Sequence, residues 1–150
     1  MLRDGRMTVR DLVGLLVAIV VCFAAAGIGS LATVDAIPAW YAALHKPSWN
    51  PPNWIFGPVW SLLYLMMAVA AWLVWRTAGW AGARPALGLF ALQLVLNVGW
   101  SVVFFGLHRP GWAFVEIAGL WCAILATLLL FRPISPVAAL LLVPYLLWVT

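Results

Sequence analysis

The chain has 150 residues, of which 67% are hydrophobic and 8% charged, with a formal net charge of +4. A soluble domain of this size leaves much of its surface in water and cannot hide so many apolar side chains, so the missing solvent is lipid. The eight basic residues are scattered among apolar runs and form no continuous phosphate-tracking stripe, which excludes nucleic acid as a partner.

Arg3, Arg6 and Arg10 precede an apolar stretch, as in the n- and h-regions of a signal peptide. The charge-free run from Leu12 to Thr33 is too long for an h-region and suits a spanning helix of roughly 20 residues. Within it Ala24, Ala25, Ala26, Gly27, Gly29 and Ser30 are small, which allows either close helix packing or room for a flat ligand. The connection from Asp35 to Gly57 is too long for a bare turn and too aromatic for a disordered linker. Three further spans follow, Pro58 to Trp75, Pro85 to Leu107 and Gly111 to Phe131, and a fifth begins near Pro136. The breaks at Arg76 to Arg84, His108 to Pro110 and Arg132 to Pro136 hold the Arg, Gly and Pro expected at helix ends. Pro58, Pro85 and Pro136 are read as first helical residues, where proline loses no helical hydrogen bond. The fifth run ends at Thr150 and reaches only about 22 Å at 1.5 Å per residue, so this helix is expected to be truncated against a core of about 30 Å. The expected fold is all-α: a polytopic membrane protein, a five-transmembrane-helix bundle forming one domain over residues 1–150.

Basic residues in alternate loops set which side faces the cytoplasm. Arg3, Arg6, Arg10, Arg76, Arg84 and Arg132 fall on one side, Lys46 and Arg109 on the other, which places the N-terminus in the cytoplasm and the long Trp/Pro loop outside. Cys22 and Cys122 lie far apart in apolar runs without metal or redox spacing and are read as small buried hydrophobes.

Polar side chains within the membrane are costly and therefore informative. Gln93, Asn97 and Ser101 recur at i, i+4, i+8 with Trp100 and Phe104 beside them, so that face of the third span looks into the bundle. Periodicity admits two roles for these amides, interhelical glue worth on the order of 1 kcal/mol or contact with a ligand. Trp60 and Tyr64 pair at i, i+4 in the second span, and Tyr145 and Trp148 at i, i+3 in the fifth. Either pair also suits an interfacial aromatic belt. Pro144 removes the hydrogen bond to the Leu140 carbonyl, which kinks the fifth helix or frees that carbonyl for a partner. Glu116 lies about one and a half turns into the fourth span, shallow enough to reach the headgroups or to pair with Arg109, which favours a structural role over proton coupling. His45 and His108 sit in loops without a partner at helical spacing, a poor basis for axial haem ligation. No GxGxxG, P-loop, zinc motif or catalytic triad occurs, and no metal site is expected.

The segment from Trp40 to Trp54, WYAALHKPSWNPPNW, resembles the first-loop signature of the TspO/MBR family, the translocator proteins or peripheral-type benzodiazepine receptors. Trp60-Ser61-Leu62-Leu63-Tyr64, Gln93-Leu94-Val95-Leu96-Asn97, Trp100, Phe104-Phe105-Gly106 and Pro144-Tyr145-Leu146-Leu147-Trp148 resemble its further motifs in the same order, so the likeness runs from about Ala24 to Thr150. The resemblance implies a bacterial-type membrane protein, a homodimer of five-helix bundles with a ligand pocket beneath the first loop. Trp60, Tyr64, Asn97, Trp100, Tyr145 and Trp148 match positions that line that pocket, and Trp49 and Asn50 belong to the loop that closes it. It further implies binding of porphyrins such as protoporphyrin IX, of haem, of sterols and of benzodiazepine-type drugs, with bacterial members acting in tetrapyrrole or stress responses. No cofactor is required, since porphyrin or haem enters as ligand. The cholesterol-recognition pattern of the animal members lies past Thr150, so sterol binding through it is not implied.

The leading expectation is a membrane binding protein or sensor for tetrapyrroles, with transport as an extension of the same property. An enzyme-like alternative is light- and oxygen-dependent porphyrin degradation, for which Trp60 and Trp148 match the implicated tryptophans. A proton-coupled transporter would need an intramembrane carboxylate, for which Glu116 is the candidate.

Overall fold

The structure is a computed structural model that describes residues 5–150, so Arg3 of the basic N-terminal cluster lies outside the described residues. Four helices, α1 (Val9–Thr33), α2 (Asn53–Ser101), α3 (Pro110–Phe131) and α4 (Pro136–Val149), supply five apolar spans. Two short π-helical turns, Ile37–Tyr41 and Val102–Gly106, lie between them. The chain is an all-α membrane protein, and α1, α2 and α3 are long and apolar enough to cross a bilayer.

Helix α2 is two spans in one. Its dihedrals are helical except at Gly79, where φ is 69° and ψ 179°. Tyr64 hydrogen-bonds Asn97 and Met67 contacts Gln93, so the partner numbers fall on one arm as they rise on the other. The arms, residues 53–78 and 80–101, therefore run antiparallel about Gly79. Only glycine adopts such dihedrals freely, which lets the chain reverse on one residue instead of across the stretch Arg76 to Arg84 expected from its polar and small residues. Pro58 and Pro85 consequently lie inside α2, in the early turns of its two arms, and not at first helical positions. Pro136 does open α4 behind the Ser135 cap, whose hydroxyl accepts from the Ala138 N–H at 3.3 Å.

Helix α1 starts three residues before Leu12 because Thr8 and Asp11 form a reciprocal capping box. Asp11 does more than cap. Its carbonyl accepts from the Trp72 indole at 2.8 Å, and its carboxylate lies 3.6 Å from Arg76 Nε, tying the start of α1 to the end of the first α2 arm. The Gly14 position faces the Trp75 ring so closely that a Cβ there would collide with it.

The core runs along α2, where Met67, Ala68, Ala70 and Val74 are buried against Leu120 and Ile124 of α3 and Ala138, Leu142 and Tyr145 of α4. Helix α1 packs on α2 and on the Val102–Gly106 turn and leaves Val13, Val17 and Val20 exposed toward lipid. Helix α4 runs through Pro144 as one helix of 14 residues, about 21 Å. Cys22 is buried as expected, whereas Cys122 is exposed on the outer side of α3. Glycine and small residues of α1 serve both of their possible uses: Gly29 packs against Ser101, while Ala26, Gly27 and Ser30 border a cavity.

Candidate ligand-binding site

Between the C-terminal half of α1, both arms of α2 and the end of α4 lies a cavity of about 730 Å³. This volume falls within the range of small-molecule sites, roughly 300 to 1,000 Å³. Helical spacing brings Phe56, Trp60 and Tyr64 onto one stripe of the first α2 arm, and Asn97 and Trp100 onto the facing stripe of the second. Phe23 closes one side from α1 and Trp148 another from α4.

The rings pack against one another instead of pointing to the lipid interface. Trp60 lies 5.9 Å from Tyr64 and 6.2 Å from Tyr145 between centroids, and Phe56 meets Trp148 edge-on at 5.9 Å. Beneath them runs a chain of buried hydrogen bonds. Tyr64 donates its hydroxyl to Asn97 Oδ1 at 2.7 Å, Asn97 Nδ2 donates to the Tyr145 hydroxyl at 2.7 Å, and Tyr145 donates to Gln93 Oε1 at 2.8 Å. The last link is weak, Gln93 Nε2 to Met67 Sδ at 3.7 Å. Asn97 thus joins three spans while bordering the cavity, and one of its N–H groups and one lone pair stay unused by the network.

A lid sits above. The turn Ile37–Tyr41 and the turn Val102–Gly106 meet through Trp40 and Phe104 at 5.3 Å and Tyr41 and Phe105 at 5.6 Å. Trp100 stacks on Phe104 at 5.0 Å and carries this cluster down to the cavity. Lys46 donates to the Tyr41 carbonyl and covers its ring at 4.3 Å, while Asn50 Nδ2 donates to the Tyr41 hydroxyl at 3.2 Å.

Residues 18–150 match the TspO/MBR family. The chain belongs to that family. It is 44% identical over 143 residues to the tryptophan-rich protein TspO of Chlorobaculum tepidum, covering 94% of this chain and 90% of that protein. It is 40% identical over 129 residues to the tryptophan-rich sensory protein of Cereibacter sphaeroides, covering 86% of this chain and 78% of that one. To the translocator protein of Homo sapiens it is 45% identical over 111 residues, 73% of this chain and 66% of that protein, so it spans just under two thirds of the human relative.

In this TspO/MBR chain, five of the ten residues singled out from the sequence border the cavity: Trp60, Tyr64, Asn97, Trp100 and Trp148. Gln93 and Tyr145 lie one layer below, fully buried, and reach it through Asn97. Phe104 belongs to the lid cluster, Asn50 braces Tyr41, and Trp49 is 83% exposed on the lid's outer side. Sequence reasoning missed Phe23, Phe56 and Phe105 as walls and Tyr41 as the residue both Lys46 and Asn50 hold. Phe56 would have been found as the i−4 neighbour of Trp60 had the span been started at Asn53.

Glu116 forms no ion pair with Arg109 among the described residues. Its Oε1 packs against the bare backbone of Gly99, its Oε2 is buried without a hydrogen-bond partner, and it lies outside the cavity wall. His108 stacks on Trp40 at 4.4 Å, and neither it nor His45 borders the cavity.

Proposed function

We propose that the cavity binds a tetrapyrrole, with protoporphyrin IX and haem as the ligand class, and that the protein acts as a membrane sensor or carrier for it. The observation that carries this reading is three indoles, Trp60, Trp100 and Trp148, around one largely apolar cavity that the hydrogen-bonded pair Asn97 and Tyr64 also borders. A flat apolar macrocycle needs broad aromatic walls and few polar anchors, and its peripheral groups find at Asn97 one free donor and one free acceptor. The name of one relative, tryptophan-rich sensory protein, supports the sensing part of this reading. The test is a titration of purified protein with protoporphyrin IX, haem and cholesterol, followed by tryptophan quenching. Saturable quenching by the two tetrapyrroles supports the proposal, and quenching by cholesterol alone replaces it with a sterol site.

A second reading rests on the same indoles. Trp60 and Trp148 place two oxidisable side chains on the cavity, which supports light- and dioxygen-dependent breakdown of a bound porphyrin acting as its own photosensitiser. Trp60→Phe keeps a ring for packing but not an indole donor. An enzyme loses light-dependent porphyrin loss in this variant while still binding, and a sensor bleaches porphyrin as the parent does.

A further inference from the structure

At the opposite end of the bundle from the cavity, the first turns of α1 and the turn region of α2 enclose a second, open groove of about 470 Å³. Its walls are apolar: Val13, Val17 and Ala18 from α1, and Trp75 and Leu87 from the two arms of α2. Gly14 makes the groove possible, since only a residue without Cβ lets the Trp75 indole lie directly on the α1 backbone as a floor. From Arg10 to Ala18 the groove follows α1 for about 12 Å along the membrane normal. Arg10 stands at its rim, with the guanidinium carbon 5.1 Å from the Trp75 ring centroid, and no carboxylate among the described residues forms an ion pair with it. Exposed Arg84 lies one turn from Leu87 on the same side of its helix and adds a second cation toward that end.

These features together select one kind of occupant. The groove opens where exposed Val13 and Val17 already face hydrocarbon, so an acyl chain is the apolar filler at hand. The guanidinium sits in the first turn of α1, where the helix dipole disfavours a cation, and an anion beside it is favoured by both. We propose that the groove is a site for an anionic diacyl phospholipid of the leaflet that holds the start of α1. One acyl chain lies along Gly14, Val17 and Trp75, and the phosphate meets Arg10. Basic residues at the membrane end of an interhelical pocket provide that recognition generally. The site is separate from the aromatic cavity and does not depend on what the cavity binds.

Native mass spectrometry of the full chain, released from detergent with phosphatidylglycerol or phosphatidylcholine of matched acyl chains, tests this. The expected result is preferential retention of phosphatidylglycerol by the parent. Arg10→Gln weakens phosphatidylglycerol binding about fivefold, the factor that one basic residue near an anionic surface is worth. The same variant weakens phosphatidylcholine binding less, because the choline ammonium offsets the phosphate charge that Arg10 meets, and Arg10→Lys restores most of the preference. Val13→Trp fills the groove from an exposed position and displaces both lipids, while Arg132→Gln, a basic residue outside the groove, changes nothing. Each variant is first shown to unfold at the parent's temperature without added lipid. Equal retention of the two lipids, a phosphatidylglycerol affinity unchanged in Arg10→Gln, or displacement by glycerol phosphate alone would overturn the proposal.

Discussion

Asn97 carries more of the interior than its size suggests, because its one amide serves Tyr64 from the first α2 arm and Tyr145 from α4. Interhelical hydrogen bonds in membranes average about 0.6 kcal/mol and reach about 1.7. Tyr64→Phe removes one bond and leaves Asn97 Oδ1 beside a cavity, so its cost is expected below about 1 kcal/mol. Asn97→Leu removes two bonds, leaving the Tyr64 hydroxyl without its partner and the Tyr145 hydroxyl with Gln93 alone, for an expected cost of about 2 kcal/mol. Unfolding in detergent measures both, and equal destabilisation would show that Asn97 is not the junction. The spacing of Gln93, Asn97 and Ser101 reveals which way that face points but not what it meets, since partners 33 and 48 residues apart leave no local trace. The same limit explains the aromatic residues. Trp60 and Tyr145 look identical in sequence whether they anchor at an interface or turn toward each other, and only the packing of α2 on α4 decides.

Among the elements, α2 shows where sequence patterning is informative and where it is coarse. Uninterrupted apolar runs reveal both arms, because nothing but a spanning helix satisfies the backbone of so long an apolar segment in lipid. The turn between them was less legible. Arg, Gly and Ala between Arg76 and Arg84 have helical as well as loop uses, and the helix persists through all of them except Gly79. Two glycine variants test this directly. Gly79→Ala forces a side chain into dihedrals that are essentially glycine-only and is expected to cost about 1 to 3 kcal/mol. Gly88→Ala lies in helical backbone with open space where the Cβ would point, and is expected to stabilise by about 0.5 to 1 kcal/mol. Opposite shifts in the detergent unfolding temperature are the expected outcome. A neutral Gly79→Ala would mean that the reversal does not rest on that residue. The starts of α1 and α2 escape a search for charge-free runs for a related reason: Asp11 and Asn53 are polar yet belong to the helices, the first as a capping partner.

For the whole molecule, the two ends differ in chemistry. Arg6, Arg10, Arg76, Arg84 and Arg132 belong to the end where Asp11 ties α1 to α2, while Lys46 and Arg109 belong to the lid end above the aromatic cavity. By the positive-inside rule, the excess of basic residues makes the cytoplasm the expected side for the first end. Trp49→Cys, in a background freed of Cys22 and Cys122, is therefore expected to react with a membrane-impermeant thiol reagent added from outside, and labelling only from the cytoplasmic side would reverse the orientation. External labelling would put the aromatic lid outside and the proposed lipid groove in the inner leaflet. The central claim is that the Trp60, Asn97 and Trp148 walls form a tetrapyrrole site, and the most direct measurement is the dissociation constant of protoporphyrin IX for the parent and for Trp60→Ala, Asn97→Ala and Trp148→Ala, each verified as folded. All three are expected to bind more weakly, with Trp60→Phe close to the parent, because aromatic contacts contribute about 0.5 to 1.5 kcal/mol beyond the area they bury. Parent-like affinity in all three alanine variants would contradict the account and leave the cavity's aromatic residues as packing alone.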